Sequence, residues 1–328
     1  MKAGVQSEEK TESIPVLVIT APTATGKTSL LEELFANDSG SDFAGKAEII
    51  SADSMQVYKG LDIGTAKPDG SFCSRLPHHL IDICTPDHQF GSGEFVSYAD
   101  SLCSNIWKRQ KMPVICGGTT FYIKNFLYGL PPVPESNAAV RKELERRIKE
   151  EGAEVLWNEL KGLDPESALK IHVNDEYRIK RALEVFLSTG KKRSDFEVPS
   201  KLRPGYKFCI IKLERPRDVL YDRINRRVEE MFRDGLAEEF EKLMAAGYKK
   251  TDPGMQAIGY REFFLVDGEG KARQDYLEEV KEMIKKDTRH YAKKQLTFFR
   301  SMPDGEAFSM DNPEAIKQKI ECFFSVNL

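Results

Sequence analysis

Short apolar segments alternate with amphipathic helical segments in the first part of the chain. Residues 14–20 form a continuous apolar and β-branched run, which is typical of a buried strand. The predicted strands are 14–20, 47–51, 79–83 and 113–116, and the predicted helices between them are 29–36 and 96–109. Strands that alternate with helices predict a parallel, doubly wound α/β sheet. Ligands bind such sheets at the carboxyl ends of the strands.

The pattern changes after residue 130. Pro131, Pro132 and Pro134 make a stiff hinge, and 135–187 has helical periodicity only, with helices predicted at 141–148, 153–160 and 178–187. A Lys-, Arg- and Pro-rich linker at 190–204 precedes a further apolar strand, 207–213. Helices at 219–246 and 276–300 and a short terminal helix complete the prediction, in which Leu220, Ile224, Val228 and Phe232 face the core.

These segments predict a flexible leader (1–13), one α/β core (14–130 and 206–328) and an all-helical insertion domain (131–205).

Composition narrows the class of protein. The 328 residues are 40% hydrophobic and 31% charged, which excludes disordered and fibrous chains. The net charge of −3 excludes nucleic-acid binding through bulk charge, so any such contact must use local basic patches. No apolar run reaches membrane-spanning length, and the polar first 13 residues resemble neither a signal nor a transit peptide. We therefore expect a cytoplasmic protein with no membrane contact.

The metal-binding residue types show no ligand spacing. Six cysteines occur without a CxxC pair, and five histidines occur without an HExxH motif. Cys116 and Cys209 lie in apolar runs, so buried reduced thiols are a better interpretation than a disulfide framework or a zinc site.

A phosphate-binding loop follows the first predicted strand. The loop consists of Ala21, Pro22, Thr23, Ala24, Thr25, Gly26, Lys27 and Thr28. It follows the pattern G-x-x-x-x-G-K-[ST], except that Ala21 replaces the first glycine and must adopt an angle that alanine can reach. Its backbone N–H groups can cradle a di- or triphosphate, Lys27 is expected to neutralise it, and Thr28 to ligate Mg²⁺. The phosphate need not belong to ATP.

Other candidate residues follow the second and fourth strands. Asp53 ends the second strand beside the phosphate loop, where a carboxylate can hold a metal or accept a proton. The alternative is that Asp53 only caps the next helix. Gly117 and Gly118 make a tight turn on the same edge, which is weak evidence by itself. Arg223 and Arg227, spaced i and i+4, share one helix face that can meet phosphate.

Taken together, several motifs resemble the tRNA dimethylallyltransferase family. They are the loop 21–28, the run 53–67, His78 to Asp82, Gly117 to Thr119, Asn174 with Asp175, Arg178 to Val185, Gln256 to Arg261 and Arg289 to Arg300. The matches span about residues 15 to 300 in the family's order, and the chain resembles the compact bacterial form. The resemblance implies a P-loop NTPase-like parallel sheet flanked by helices, with the helical insertion.

The resemblance also implies a reaction. The five-carbon group of dimethylallyl diphosphate would move to N6 of the tRNA adenosine 3′-adjacent to the anticodon, with Mg²⁺ as cofactor. Asp53 would accept the amine proton, and Lys27 would stabilise the leaving diphosphate. Thr119 would complete the catalytic set by holding the diphosphate or the base from the opposite wall. The adenosine must be flipped out of the anticodon stack to reach such a pocket.

The expected partners are dimethylallyl diphosphate and the tRNA anticodon stem-loop, and the protein is expected to act as a monomer. Basic residues cluster in the insertion and on the late helix, where Tyr291, Phe298 and Phe299 interleave with them. By the resemblance, the tRNA-contacting residues are Asp53, Ser54, Met55, Gln56, Thr119, Arg141, Tyr177, Arg178, Ile179, Lys180, Arg181, Gln256, Ala257, Ile258, Gly259, Tyr260, Arg261, Lys293, Lys294, Gln295 and Arg300.

Three rival functions stay open at this point. An adenylate isopentenyltransferase shares the loop but prenylates free AMP, ADP or ATP, for which a helical insertion and a basic late helix would be useless. A small-molecule kinase would need a lid with paired arginines, which the sequence does not resemble. A pure RNA-binding protein would not need Lys27 and Asp53.

Overall fold

The computed structural model describes residues 13–134 and 137–327, and the predicted leader lies almost wholly outside the described residues. The described chain forms two compact units. One contains the residues up to Leu127 and from Arg203 onward, and the other contains Tyr128–Leu202. Among the helices of these ranges, none has both the length and the apolar character that crossing a bilayer requires.

The first unit is built on one parallel sheet. Its strands are β1 (Ile14–Thr20), β2 (Ala47–Ala52), β3 (His78–His79), β4 (Met112–Gly117), β5 (Tyr206–Glu214) and β6 (Glu306–Ser309), in the order β3-β2-β4-β1-β5-β6. Every described pairing is parallel. Every residue of β2 and β4 is buried, as expected for a parallel sheet covered on both faces. The predicted α/β class is confirmed.

Helices flank the sheet and make up the insertion. They are α1 (Lys27–Phe35), α2 (Gly70–Arg75), α3 (Ser92–Lys108), α4 (Thr120–Tyr128), α5 (Ala138–Glu151), α6 (Ala153–Leu163), α7 (Pro165–Lys170), α8 (Glu176–Thr189), α9 (Arg217–Arg233), α10 (Leu236–Ala245), α11 (Arg273–Ser301) and α12 (Pro313–Asn327). Short 3₁₀ turns occur at Arg193–Asp195, Gly254–Gln256 and Arg261–Phe264.

The register of the three central strands brings their carboxyl ends together. Thr20 pairs with Gly117 across β1 and β4, and Ala52 pairs with Gly117 across β2 and β4. A Cβ atom on Gly117 would lie 2.2 Å from the Ala52 carbonyl oxygen, so only glycine allows this approach. The loops after β1, β2 and β4 therefore start side by side on one edge of the sheet.

The second unit has its own small helical core. Leu144, Leu156, Leu160 and Leu183 are fully buried there, on α5, α6 and α8. Asp175 caps α8 by accepting a hydrogen bond from the Arg178 N–H at 3.1 Å. The predicted helices 141–148, 153–160 and 178–187 all exist and are longer than predicted.

Two predicted elements are wrong. The strand predicted at 79–83 ends at His79, because Leu80 and Asp82 adopt left-handed φ angles of 63° and 55° that a strand excludes. The helix predicted at 219–246 is two helices, because Gly235, with φ 102°, ends α9 and begins α10. Phe232 was predicted in the core but is only half-buried, and it stacks on Phe263.

The prediction of buried thiols holds for three of the six cysteines, whereas Cys73 and Cys84 are half-buried and Cys322 is exposed. All six cysteines are free, and Cys103, Cys116 and Cys209 are buried. Burial raises the pKa of Cys116 and of Cys209 to about 11, so both are unreactive thiols at neutral pH.

Candidate active site

The phosphate loop connects β1 to α1. Gly26 is the N-cap residue of α1 and takes the left-handed φ of 110°, so the glycine of the Gly-Lys-Thr sequence is needed. Ala21, in place of the first glycine, is buried and is not among the positive-φ residues. Alanine therefore fits that position without backbone strain. The left-handed non-glycine residue of the loop is Ala24, with φ 60°.

Lys27 lies over the loop with its amine turned to backbone oxygens. Its Nζ donates hydrogen bonds to the carbonyls of Ala21 at 3.0 Å and Pro22 at 2.8 Å. Burial lowers the pKa of Lys27, and the nearby Cys116 thiol and Asp53 carboxylate act in the opposite direction. A cation held by neutral carbonyls is available to an anion that enters the loop.

Asp53 follows β2 and begins a tight turn. Its Oδ1 accepts hydrogen bonds from the N–H groups of Met55 at 2.9 Å and Gln56 at 3.3 Å. Asp53 thus caps a turn, because no helix follows it directly. The alternative interpretation of Asp53 as a helix cap is therefore wrong, although the residue does have a capping role. Asp53 also lines two adjoining cavities, so it is positioned to contact molecules that enter them.

Thr119 follows β4 and ties this turn to the fourth strand. Its Oγ1 accepts a hydrogen bond from the Ser54 N–H at 2.9 Å and lies 3.2 Å from the Ser54 hydroxyl. The neighbouring Gly118 lines the larger cavity, whereas Thr119 is not among the lining residues of either cavity. Tyr291 of α11 interacts with Thr119 and with Gln295 through its hydroxyl.

Two cavities meet at Asp53. The large cavity, about 700 Å³, is lined by the phosphate loop, the turn at 65–69 and the arginines of α9. The small cavity, about 270 Å³, is lined by more apolar residues, among them Ile224, Val228, Met231, Ile258 and Ile284. The residues that line both cavities are Thr23, Ala24, Asp53, Thr65, Arg227 and Tyr291.

Arginines of α9 give the large cavity a positive wall. Arg223, Arg226 and Arg227 line it together with Lys27. The Arg223 Nε donates to the Ala24 carbonyl at 2.7 Å, which fixes the guanidinium against the loop. Burial lowers the pKa of Arg227, and the Asp53 carboxylate partly opposes this effect. The structure thus brings Arg223 and Arg227, the pair noted in the sequence, next to the phosphate loop.

Two further side chains brace the loop from distant segments. Arg215 donates from Nε to the Thr25 carbonyl at 2.7 Å. Gln295 accepts a hydrogen bond from the Thr23 N–H at 3.0 Å and donates to the Gly118 carbonyl at 2.8 Å. No sequence pattern around Arg215 indicates this contact. Gln295 was expected to contact tRNA, but its side chain is buried and both ends of its amide bond the site's own backbone.

Some residues of the segment Gln256 to Arg261 line the small cavity, and others are buried. Gln256, Ala257, Ile258 and Arg261 line the small cavity. Tyr260 is fully buried, and Ala257 is nearly so. Arg261 forms ion pairs with Glu262 at 2.9 Å and with Asp287 at 2.6 Å, so its charge is partly neutralised.

The late basic helix, α11, exposes only part of its predicted set. Lys293, Lys294 and Arg300 are on the surface, and Arg300 pairs with Glu214 at 3.0 Å. Lys285 is nearly buried and pairs with Glu229 and Glu282. Among the described residues of α11, Lys286, Lys293 and Lys294 are exposed lysines.

The predicted RNA-contacting residues of the second unit lie on α5 and α8 and differ in exposure. Tyr177 is 64% exposed, and the Arg141 guanidinium lies 5.9 Å from the centre of its ring. Ile179 is fully buried, so it belongs to the unit's core. Further ion pairs involve Arg178 with Asp175 at 3.1 Å, Lys180 with Glu145 at 3.5 Å and Arg181 with Glu184 at 2.9 Å.

Oxygen ligands for a cation occur at the mouth of the loop. Thr28 is exposed at the first turn of α1 and lines the large cavity with Asp53. Hydroxyl and carboxylate oxygens are the donors that Mg²⁺ prefers. Elsewhere in the described chain, Glu229, Glu278 and Glu282 cluster together, but each already forms an ion pair with Lys281 or Lys285.

Known proteins resemble this chain in sequence. A family model described as IPP transferase matches residues 56–302. A tRNA dimethylallyltransferase of Geobacter sulfurreducens is 41% identical over 301 residues, which cover 92% of each chain. A tRNA dimethylallyltransferase of Clostridioides difficile is 41% identical over 309 residues, which cover 94% of this chain and 95% of the relative.

Solved structures resemble it as well. The full-length tRNA isopentenylpyrophosphate transferase from Bacillus halodurans is 34% identical, with a TM-score of 0.63 over 95% of this chain and 99% of that one. A eukaryotic dimethylallyltransferase acting on tRNA has a TM-score of 0.74 at 24% identity, over 96% of this chain and 80% of that one, and at this identity it supports the fold alone.

Proposed function

The chain belongs to the tRNA dimethylallyltransferase family and has its activity, and on that premise we propose which of its residues carry out each step of the transfer. The observation that carries the proposal is that Asp53 lines both the positively charged large cavity and the more apolar small cavity. One carboxylate then meets the donor on one side and the acceptor on the other.

The large cavity binds the diphosphate of dimethylallyl diphosphate. The loop N–H groups, Lys27, Arg223 and Arg227 provide donors and charge for an anion. As the allylic carbon–oxygen bond breaks, negative charge grows on the leaving diphosphate. Preorganised cations stabilise that charge more than the ground state, which accelerates the transfer.

The small cavity accepts the target adenine. The base reaches it after flipping out of the anticodon loop, and apolar side chains such as Ile258 and Met231 surround it. The exocyclic amine attacks the allylic carbon, the diphosphate leaves, and Asp53 accepts the proton that the amine loses. Thr119 acts by holding Ser54 and the Asp53 turn in place.

Mg²⁺ fits the same mouth of the loop. Thr28, with Asp53 across the large cavity, offers oxygen donors of the kind this cation prefers. When bound, the cation supplies charge that stabilises the leaving diphosphate.

The RNA surface contains the exposed members of the predicted set. In the first unit the members with exposed surface are Asp53, Ser54, Met55, Gln56, Gln256, Ile258, Arg261, Lys293, Lys294 and Arg300. In the second unit they are Arg141, Tyr177, Arg178, Lys180 and Arg181. Ile179, Gly259, Tyr260 and Gln295 are buried, so we propose that they support these contacts without touching RNA. Ala257 is nearly buried but lines the small cavity, so it stays in the RNA-contacting set. The acceptor position next to the anticodon, the monomeric state and the cytoplasmic location stay predictions.

The test uses labelled dimethylallyl diphosphate with either unmodified total tRNA or AMP. Label is expected in tRNA alone, in the presence of Mg²⁺ and without ATP. The Lys27→Ala variant is expected to lose the transfer, because one preorganised charge contact contributes about 3–4 kcal/mol to a transition state. Label in AMP instead of tRNA would favour the adenylate isopentenyltransferase.

A further inference from the structure

A glutamate of α10 holds a turn of backbone far from it in sequence. The Glu239 carboxylate accepts hydrogen bonds from three consecutive N–H groups. Oε2 accepts from Asp62 at 3.1 Å and from Ile63 at 2.9 Å, and Oε1 accepts from Gly64 at 3.2 Å. Consecutive N–H groups that converge on one point form an anion-binding nest, and here the chain fills that nest with its own carboxylate.

Tyr260 contacts both the Glu239 carboxylate and the turn. Its hydroxyl donates to Glu239 Oε1 at 2.5 Å and accepts from the Gly64 N–H at 3.1 Å. The packing leaves no room for a side chain, since a Cβ on Gly64 would lie 2.6 Å from the Tyr260 ring. Gly259, with φ +107°, brings its own backbone against the Gly64 carbonyl. The turn at 62–64 is therefore fixed in position from two sides.

Hydrogen bonds through Gln56 connect this turn to Asp53. The next two residues, Thr65 and Ala66, accept hydrogen bonds from the Gln56 side-chain amide, each at 3.3 Å. The Gln56 backbone N–H in turn donates to Asp53 Oδ1 at 3.3 Å. Gly64 and Thr65 also line the small cavity, together with Ala257 and Ile258. A shift of the turn would therefore displace both a wall of the small cavity and the partner of Asp53.

We propose that Glu239 is a positioning residue for the transfer, which with Tyr260 fixes the turn at 62–64 and, through Gln56, orients Asp53. The proposal rests on the proposed function. Glu239 lines neither cavity, so it acts on the reaction only through the turn. A carboxylate is required because both of its oxygens accept from N–H groups, whereas an amide would turn an NH₂ group toward one of those donors.

The test compares Glu239→Gln with Glu241→Gln, which changes an exposed glutamate of the same helix that is paired with Arg273. Three quantities are measured on the full chain: the affinity for inorganic diphosphate, the single-turnover rate at saturating tRNA and dimethylallyl diphosphate, and the pH dependence of that rate. In Glu239→Gln we expect diphosphate affinity within about twofold of wild type and a rate reduced roughly ten- to a hundred-fold, since small misplacements at a reacting centre have effects of this size. The rate–pH profile should shift in this variant and not in Glu241→Gln.

Tyr260→Phe, which removes only the hydroxyl, should give a smaller change of the same kind, and it serves as the test if Glu239→Gln does not fold. A wild-type rate in the folded variant overturns the proposal. A loss of rate matched by an equal loss of diphosphate affinity also overturns it, because that result indicates general disruption of the site. Absence of tRNA prenylation by the wild-type chain would instead refute the proposed function.

Discussion

The side-chain amide of Gln295 accepts a hydrogen bond from the backbone N–H of Thr23, at 3.0 Å and across 272 positions of sequence. Its NH₂ group donates to the Gly118 carbonyl at 2.8 Å. One buried side chain of α11 thus joins the phosphate loop after β1 to the turn after β4. The shape of the phosphate site therefore depends on a helix near the end of the chain.

Replacing Gln295 with Ala should loosen the phosphate loop. The change leaves the Thr23 N–H and the Gly118 carbonyl without this partner, and a buried unsatisfied group costs about 1–3 kcal/mol. We expect a lower free energy of unfolding and weaker binding of inorganic diphosphate, measured by denaturant titration and calorimetry. Thr297→Ala, at an exposed position of the same helix, is the control and should change neither quantity much. Unchanged diphosphate affinity in Gln295→Ala would show that the loop does not depend on this contact.

Local patterns predicted β1, β2, β4, β5 and the phosphate loop, because each needs only neighbouring residues, but they did not predict β6. The continuous apolar runs of β1, β2 and β4 and the Gly-Lys-Thr sequence are of this kind. The strand predicted at 79–83 failed because Leu80 is apolar, as in a strand, but its backbone is left-handed. The helix predicted at 219–246 failed because Gly235 lies within a continuous helical pattern that hides the break.

Contacts between distant segments could not be predicted from one sequence. Nothing in the residues around Arg215 or Glu239 indicates that the first binds the Thr25 carbonyl and the second the turn at 62–64. The resemblance identified Gln295 and Tyr260 as site residues, but whether such a side chain faces RNA or supports the backbone depends on burial. Burial is known only once the fold is known.

Diphosphate binding should take up a proton at alkaline pH through Lys27. Burial lowers the pKa of this amine in the free protein, so it becomes neutral at a lower pH than an exposed lysine. A bound anion favours the charged form and raises the pKa again. Between the two pKa values binding is coupled to proton uptake, and affinity falls as pH rises through that interval.

Calorimetry of inorganic diphosphate in buffers of different ionisation enthalpy measures this uptake. Lys27→Arg should bind diphosphate without taking up this proton, because a guanidinium stays charged throughout the accessible range. Equal proton uptake by wild type and Lys27→Arg would assign the proton to another group.

Charge reversal at Arg178 should weaken tRNA binding in a salt-dependent way. Arg178 is exposed on α8, and Asp175 neutralises it only in part, at 3.1 Å. If it contacts a phosphate, Arg178→Glu should lower the salt slope of tRNA affinity by roughly one. Lys170→Glu makes the same change of charge at an exposed site of the same unit and is the control. Equal effects of the two variants would indicate a general change in charge instead of a contact.

The role of Asp53 can be separated from that of its turn. Its Oδ1 caps the turn through the N–H groups of Met55 and Gln56, and an asparagine oxygen can accept the same two hydrogen bonds. Asp53→Asn therefore keeps the turn but removes the proton acceptor, whereas Asp53→Ala removes both. If Asp53 is the general base, Asp53→Asn should lower the single-turnover rate by roughly a hundred- to ten-thousand-fold. The dissociation constants for tRNA and diphosphate should change little.

A Mg²⁺ titration distinguishes the other role that the geometry allows. If Asp53 acts mainly by holding the cation, Asp53→Asn should bind diphosphate poorly and recover its rate at high Mg²⁺, because mass action replaces the lost ligand. If Asp53 only caps the turn, Asp53→Asn should be fully active and Asp53→Ala should lose about 1 kcal/mol of stability. An active, stable Asp53→Asn would thus end the assignment of Asp53 as base. A slow variant that binds both substrates normally and does not respond to Mg²⁺ would leave proton transfer as the step that needs this carboxylate.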